Sequence, residues 1–489
     1  MARIACVFSV EIYGTAKRPL ESWRKVPYGL SVIAACLEAA GHQVRCWVLC
    51  PATDIRAFAM EMVRDFGCDC VAASAVSTQF PVVTSLCDEV KRIDPRILTV
   101  VGGAHPSLNP NDAIAHPAVD AVCVGEGEKA MVAIAAALDR HEQPRSIAGM
   151  WFKMGDGAAL DRTPPLPFET QIDELPLINL KHWEPWVKEM DRSFRIVVGR
   201  GCPFACTYCS NHALRRVTTG KYLRVRSPES ILQELRRLVD AYPDVNQVFL
   251  EAETITAIPG FAIELCKRLA EFNSERANPI VFRANMTVTT RLAQSEMQTE
   301  ELLSAYRSAN LIYINIGLES GSERIRKEIL NRPGYTNADL IKFCQTAKKH
   351  GIKISLFVLL GLPTETVQDY LTTVKVLREC DPNTIYESIY YPYPGTKLYD
   401  LAAEMRLFDP ATIDTRSERT RAHLKLKDFP QWRVRFEYIF ITWRVFHARK
   451  GLLMVASLMA YKALSITPRM LSVALRFRSS WTKAAPAQS

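Results

Sequence analysis

The sequence predicts an α/β protein: a doubly wound parallel sheet, then a partial, open (β/α)6 barrel, then a helical region. Three observations carry this. Apolar strand-like runs alternate with amphipathic helical stretches over residues 1–145 and again over 194–400, and such alternation builds parallel sheets. Glycines end several of the strand runs, where sheets of this kind take their ligands. Between the two stretches, Pro164, Pro165, Pro167, Pro176 and Pro185 break the rhythm, with Trp183 and Trp186 among them. Residues 146–193 therefore read as an irregular connector.

In the first stretch, strands are expected at Arg3–Val10, Gln43–Leu49, Cys70–Ser74, Leu98–Val101 and Ala121–Val124. Helices are expected at Tyr28–Ala40, stopped by Gly41, and at Val82–Ile93. Gly102-Gly103 and Gly125–Gly127 follow the last two strands. In the second stretch the strands are Arg195–Val198, Gln247–Glu251, Ile280–Arg283, Leu311–Leu318, Lys353–Leu360 and Thr384–Tyr390. Helices fill the gaps, for example Pro228–Ala241 and Val367–Glu379. In a barrel the chemistry sits at the carboxyl ends of the strands. Residues 401–489 form a basic, helical remainder.

The chain has 489 residues and 14 cysteines. It opens without a basic start or a cleavage site for export, so a reduced cytoplasmic protein is expected. Most of its thiols then read as plain core, as at Cys36, Cys266 and Cys344. No apolar run reaches the ~18 residues of a spanning helix. The net charge is +9, yet residues 411–489 hold 15 Lys/Arg against 4 Asp/Glu, so the rest is near −2. The basic character belongs to the tail, and no nucleic-acid partner is expected.

The chemistry-bearing motif is Gly201-Cys202-Pro203-Phe204-Ala205-Cys206-Thr207-Tyr208-Cys209. Thiolates on a short loop suit an iron–sulfur cluster. Three ligands leave one iron open to a small molecule, as in an open zinc site. The alternatives are zinc with His212 as fourth ligand, or three buried thiols.

Cys-x3-Cys-x-aromatic-Cys resembles the signature of the radical SAM superfamily. The resemblance implies a [4Fe-4S] cluster held by Cys202, Cys206 and Cys209, with S-adenosylmethionine (SAM) on the open iron. One electron, from a donor such as flavodoxin or ferredoxin, would then cleave SAM to a 5′-deoxyadenosyl radical. By the same resemblance Tyr208 takes the aromatic position, and Glu251 and Glu253 stand where the methionine amino group is contacted. This chain has Leu-Glu-Ala-Glu there, in place of the family's frequent Gly-Gly-Glu. Arg283 and Asn285 end the third strand. Glu319 and Ser320 end the fourth, toward the ribose or carboxylate. Gly361 and Glu365 follow the fifth, toward the adenine. Each has a bland reading too: Glu319 as a helix cap, Arg283 as an ion-pair partner.

The first 145 residues resemble the cobalamin-binding, Rossmann-like domain that precedes the barrel in one radical SAM class. The matching pieces are Pro27-Tyr28-Gly29-Leu30, Ser77-Thr78, Gly102-Gly103-Ala104-His105-Pro106 and Gly125-Glu126-Gly127-Glu128. Glycines let a backbone approach a flat ligand closely, and hydroxyls such as Ser77 can bond a nucleotide tail. The loop from Glu11 to Val26 holds no histidine, so the Asp-x-His-x-x-Gly that ligates cobalt from below in other cobalamin domains is missing. His105 reads as a loop residue.

Together the two resemblances imply a cobalamin-dependent radical SAM enzyme that methylates an unactivated carbon of a small-molecule or lipid-like substrate. The alternatives are an oxidoreductase or cyclase with the same cofactors, like the anaerobic porphyrin-ring cyclase, and a non-enzymatic corrinoid sensor or carrier. The tail mixes Arg433, Arg435, Arg444, Arg449 and Lys450 with Phe436, Tyr438, Phe440, Trp443 and Phe446. It reads either as a helix packed on the barrel with snorkelling arginines or as peripheral contact with an anionic membrane.

Overall fold

The computed structural model describes residues 1–11, 15–155, 159–188, 192–258, 260–413, 418, 420–449 and 451–465. Two compact units divide it. The first holds Met1–Pro203, Ser210–Ile255 and Arg268–Phe282; the second holds Phe204–Cys209, Thr256–Lys267 and Arg283 onward.

The first unit is built on a seven-stranded sheet. Its strands are β1 (Arg3–Ser9), β2 (Gln43–Leu49), β3 (Cys70–Ser74), β4 (Leu98–Gly102), β5 (Ala121–Cys123), β6 (Met150–Met154) and β7 (Ala159–Arg162). The order is β2-β1-β3-β4-β5-β6-β7. The first five run parallel, as the alternation predicts. Their near-continuous apolar sequence is that of strands covered on both faces. Val7, Trp47, Val71, Val101 and Val122 are fully enclosed. Helices at Tyr28–Ala39, Phe80–Ile93 and Glu128–Asp139 supply the crossovers and cover.

The 146–193 segment differs from the irregular connector its prolines suggest. It contributes β6 and β7, antiparallel to their neighbours. Prolines at 164, 165 and 167 come only after this hairpin has ended, and the alternation within Met150–Met154 is too short to stand out. The rest of the segment is pinned: Trp183 is enclosed and Trp186 Nε1 donates to Cys46 O at 2.9 Å.

A second sheet has the order β15-β14-β13-β12-β11-β8. Its strands are β8 (Ser193–Val197), β11 (Gln247–Glu251), β12 (Val281–Met286), β13 (Leu311–Glu319), β14 (Lys353–Leu360) and β15 (Thr384–Ile389). The pairs β8–β11, β13–β14 and β14–β15 are parallel. These are the six expected strands of the open barrel. A small antiparallel pair, β9 (Gly199–Arg200) with β10 (Arg224–Val225), follows β8, and the cysteine loop lies in the chain between its two strands. In the second unit, helices at Gln431–Phe446 and Leu452–Ser465 end the described chain. No helix of the described residues is long and apolar enough to cross a membrane.

Gly201 directly follows β9 with φ +82°, and a Cβ there would fall 2.2 Å from Tyr222 O. The left-handed backbone and the contact both require glycine. Gly201→Ala is expected to cost about 2 kcal/mol or more, read as a lowered Tm together with a smaller yield of iron bound per chain.

Candidate functional site

In the first unit, a cavity of about 430 Å³ lies over the carboxyl ends of β3, β4 and β5. Its floor is Ala72, Ala73, Ser74 and Val100. Gly102, Gly103, Gly125 and Gly127 rim it, and Gly29 and Leu30 border it from the first helix. The opposite wall is Val197, Gly199–Gly201 and Glu251–Glu253, the residues that run into Cys202 or end β11. Nothing lies within 4 Å of a Cβ built on Gly29, so the cavity gains room where any other residue would project. Gly103 has φ +100°, and a Cβ there would meet Ala75 O at 2.8 Å. The turn after β4 closes only with glycine. A flat ligand resting on bare backbone suits these walls.

The sequence candidates in this unit part company here. Gly102, Gly103, Gly125, Glu126, Gly127, Glu251 and Glu253 line the cavity. Ser77, Thr78 and His105 are not among the lining residues. His105 Nδ1 is 3.2 Å from Ser77 Oγ, Nε2 is 3.1 Å from Asp112 Oδ2, and the ring packs on Phe80. Burial holds its pKa below the usual value although Asp112 pulls the other way. It is tethered on the short Ala104–Leu108 helix, not in the loop that its sequence position suggests.

Glu126 faces the cavity but is tied down. Its carboxylate accepts from Arg200 Nη1 at 3.1 Å and Arg224 Nη1 at 2.9 Å, and from the Glu169 N–H at 2.8 Å. Arg200 Nη2 reaches Glu128 Oε1 at 2.7 Å. Glu251 stands 3.2 Å from Arg195 Nε. Burial raises its carboxyl pKa, Arg195 opposing and Glu253 adding to the rise.

All fourteen cysteines are free thiols. Cys202 belongs to the first unit, Cys206 and Cys209 to the second. Residues 204–209 are pinned there by backbone and side-chain bonds. The Thr207 N–H donates to Leu330 O at 3.0 Å and receives the Leu398 N–H on its own carbonyl at 2.9 Å. Thr207 Oγ1 donates to Ile329 O at 2.6 Å, and Asn331 Nδ2 to Ala205 O at 3.0 Å. Among the described residues no three His, Cys, Asp or Glu side chains converge as a single-ion site needs.

Sequence reasoning missed Arg332. Its Nη1 lies 3.8 Å from Cys206 Sγ and 3.3 Å from the Tyr208 hydroxyl, and its Nη2 donates to Gly317 O. No local pattern marks it, because it stands 126 residues from the cysteine it approaches. Glu319 ends β13 at a bulge with φ +63°, and burial raises its carboxyl pKa against the pull of Arg332. The donor set of this loop, thiols with a guanidinium beside one of them, fits an anionic iron–sulfur cluster.

The other candidates of the second unit are each tied to neighbouring groups. Asn285 Oδ1 accepts from Asn315 Nδ2 at 3.0 Å. Arg283 lies over the Tyr313 ring at 4.4 Å. Ser320 is enclosed, its Oγ accepting the Ser322 N–H at 3.2 Å. Gly361 takes φ +76°, and Glu365 Oε2 accepts the N–H groups of Gly361 and Leu362 at 2.7 and 3.0 Å. Glu365 thus fastens the turn after β14. Burial lifts its pKa from 4.5 to about 8, with those two N–H donors opposing. The unfolded carboxyl ionises near the lower value, so this group makes folding less favourable as pH climbs between them. Glu365→Gln is expected to gain on wild type in paired thermal melts from about pH 5 to about pH 8, by up to ~1.4 kcal/mol per unit.

The family models agree with this architecture. One, described as the B12 binding domain, matches residues 25–135. Another, described as the Radical SAM superfamily, matches residues 196–377. The "Uncharacterized methyltransferase PH0819" of Pyrococcus horikoshii is 26% identical over 373 residues, 76% of this chain and 76% of the relative. The anaerobic magnesium-protoporphyrin IX monomethyl ester cyclase of Rubrivivax gelatinosus is 25% identical over 393 residues, 78% of this chain and 67% of the relative. In fold, the chain is similar to the radical S-adenosylmethionine methyltransferase TsrM of Kitasatospora setae, solved with cobalamin and a [4Fe-4S] cluster. The TM-score is 0.65 at 17% identity, over 83% of this chain and 78% of that one. A cavity rimmed by glycines and a three-cysteine loop after the first barrel strand are what these matches lead one to expect, and the chain belongs to the radical SAM superfamily as an enzyme with an N-terminal B12-binding domain.

Proposed function

We propose that this enzyme transfers a methyl group to an unactivated carbon of a small molecule, using cobalamin, a [4Fe-4S] cluster and SAM. One observation carries the reading: the glycine-rimmed cavity of the B12-binding domain is walled by Gly199–Gly201, the residues that lead directly into Cys202. When bound, the cluster and SAM supply a radical that removes hydrogen from carbon, and cobalamin supplies a methyl group.

The chain's own residues then have definable tasks. Cys202, Cys206 and Cys209 hold the cluster. Gly29, Gly102, Gly103, Gly125 and Gly127 let the backbone lie against the corrinoid, and the floor of Ala72, Ala73, Ser74 and Val100 offers it no histidine. Glu251 and Glu253 stand on the opposite wall, where a carboxylate can receive the amino group of SAM; Tyr208 and Glu319 belong to the cysteine-loop side of the second unit. Relatives named as methyltransferase support methyl transfer. A relative named as cyclase supports the second reading, oxidation or ring closure with the same cofactors.

Purified without oxygen from cobalamin-fed cells, the protein is expected to carry about four iron and about one cobalt per chain. With the true substrate, methyl transfer yields both 5′-deoxyadenosine and S-adenosylhomocysteine, and a product heavier by one CH2 group. Deoxyadenosine without S-adenosylhomocysteine, with a product that has lost hydrogen, moves the enzyme to the second reading. Iron without cobalt removes the methyl carrier.

A further partner is an anionic membrane surface. The inner face of the Gln431–Phe446 helix packs through Val434, Ile441 and Val445. Arg433 and Arg444 do not snorkel: they pair with the enclosed Glu437 at 2.7 and 2.6 Å. The outer face carries Trp432 at 66% exposure, Phe436 and Trp443, and the next helix opens with Leu453 at 85%. In sequence, residues 411–489 carry a surplus of 11 positive charges; of these residues 466–489, with Arg469, Arg476, Arg478 and Trp481, lie outside the described residues. Aromatic and basic groups together suit the headgroup region. The full chain is expected to sediment with anionic but not zwitterionic vesicles, and a Trp432→Ser, Phe436→Ser, Trp443→Ser variant to stay in the supernatant.

A further inference from the structure

We infer that Arg332 sets the reduction potential of the cluster held by Cys206, making the chain's own iron easier to reduce. The inference rests on the proposed cluster site and adds to it a positioning residue that the sequence motif does not contain.

The geometry is specific. The guanidinium puts Nη1 at 3.8 Å from Cys206 Sγ and at 3.3 Å from the Tyr208 hydroxyl. Nη2 is anchored on Gly317 O, which also accepts from the Tyr335 hydroxyl at 3.3 Å. The position is made room for: a Cβ on Gly317 would stand 3.1 Å from Nη2 and 2.5 Å from Glu319 Oε1. Arg332 is half-buried, yet its Nε is sealed from solvent without a hydrogen-bond partner. A cation is therefore held by fixed groups, against one sulfur, in a place where water screens it poorly. Glu319 attracts it but forms no ion pair with it among the described residues.

Reduction adds one negative charge to the cluster, and potentials follow the net charge and the hydrogen bonds offered to the sulfurs. A fixed guanidinium next to a ligating thiolate favours the reduced form. Lysine in its place keeps the charge; methionine removes it at similar length.

The test is a redox titration, followed by the visible and electron paramagnetic resonance spectra. It compares wild type, Arg332→Lys and Arg332→Met, each loaded anaerobically and assayed for iron, without SAM. At a fixed applied potential, the oxidised-to-reduced ratio is expected to rise about tenfold in Arg332→Met, a shift of 59 mV for a one-electron couple, and to change little in Arg332→Lys. Arg332→Gln replaces the Met variant if that one does not fold or load. No shift in the neutral variant, or an equal shift in the Lys variant, overturns the inference and leaves the cluster assignment standing. A wild-type protein that takes up no cluster overturns both.

Discussion

Arg200 stands two residues before the first cysteine of the loop, and its guanidinium is shared between Glu126 and Glu128. Arg224, across the β9–β10 pair, holds the other side of Glu126. Four charges are thereby neutralised in a largely enclosed place. Such groups are costly to bury, and removing one partner strands the rest. The turn after β5, which rims the glycine cavity, and the strand that leads into Cys202 are consequently one mechanical piece. A radical enzyme with several cofactors needs this kind of fixity, since chemistry between bound groups depends on sub-ångström placement. Gly201 then turns the chain out of this clamp and into the cysteine loop.

The parts of this molecule legible in its sequence are those whose cause is local. Parallel strands flanked by helices on both faces are apolar throughout, so β1 to β5 and the six barrel strands could be marked within a few residues. The cysteine loop was legible for the same reason: its spacing lies within nine residues. What escaped was set by partners far away. Arg332 gains its meaning from a sulfur 126 residues earlier. The β6–β7 hairpin is too short to show a period of two above its surroundings. Glu365 and Ser320 were singled out at strand ends, and both do stand there, but the described structure turns them toward backbone N–H groups. Position along a strand is written in the sequence; the direction a side chain takes at its end depends on which donors the fold brings within reach.

The first domain shows a similar contrast. Its glycines form the rim they were expected to form, while His105 and Ser77 bond each other and stand outside the cavity's lining. A ligand there meets backbone and methyl groups underneath and carboxylates on the facing wall. The two surfaces differ in what they can do to it: the lower one offers no imidazole, and the upper one can orient a charged neighbour.

Cysteine chemistry draws a further distinction from burial alone. Outside the loop, ten of the eleven remaining thiols are buried, with only Cys36 half-exposed. Burial pushes Cys68, Cys87, Cys123 and Cys266 up to about 12, where they stay protonated and are poor nucleophiles and poor ligands. A chain with so many sulfurs could in principle scatter incoming ferrous iron and sulfide over a dozen competing positions. Here ten of the eleven competitors are withheld inside finished cores. On the proposed cluster site, assembly would then follow folding: with the core thiols enclosed, Cys202 and Cys209 of the loop stay within reach of the metal, and outside the loop Cys36 alone does.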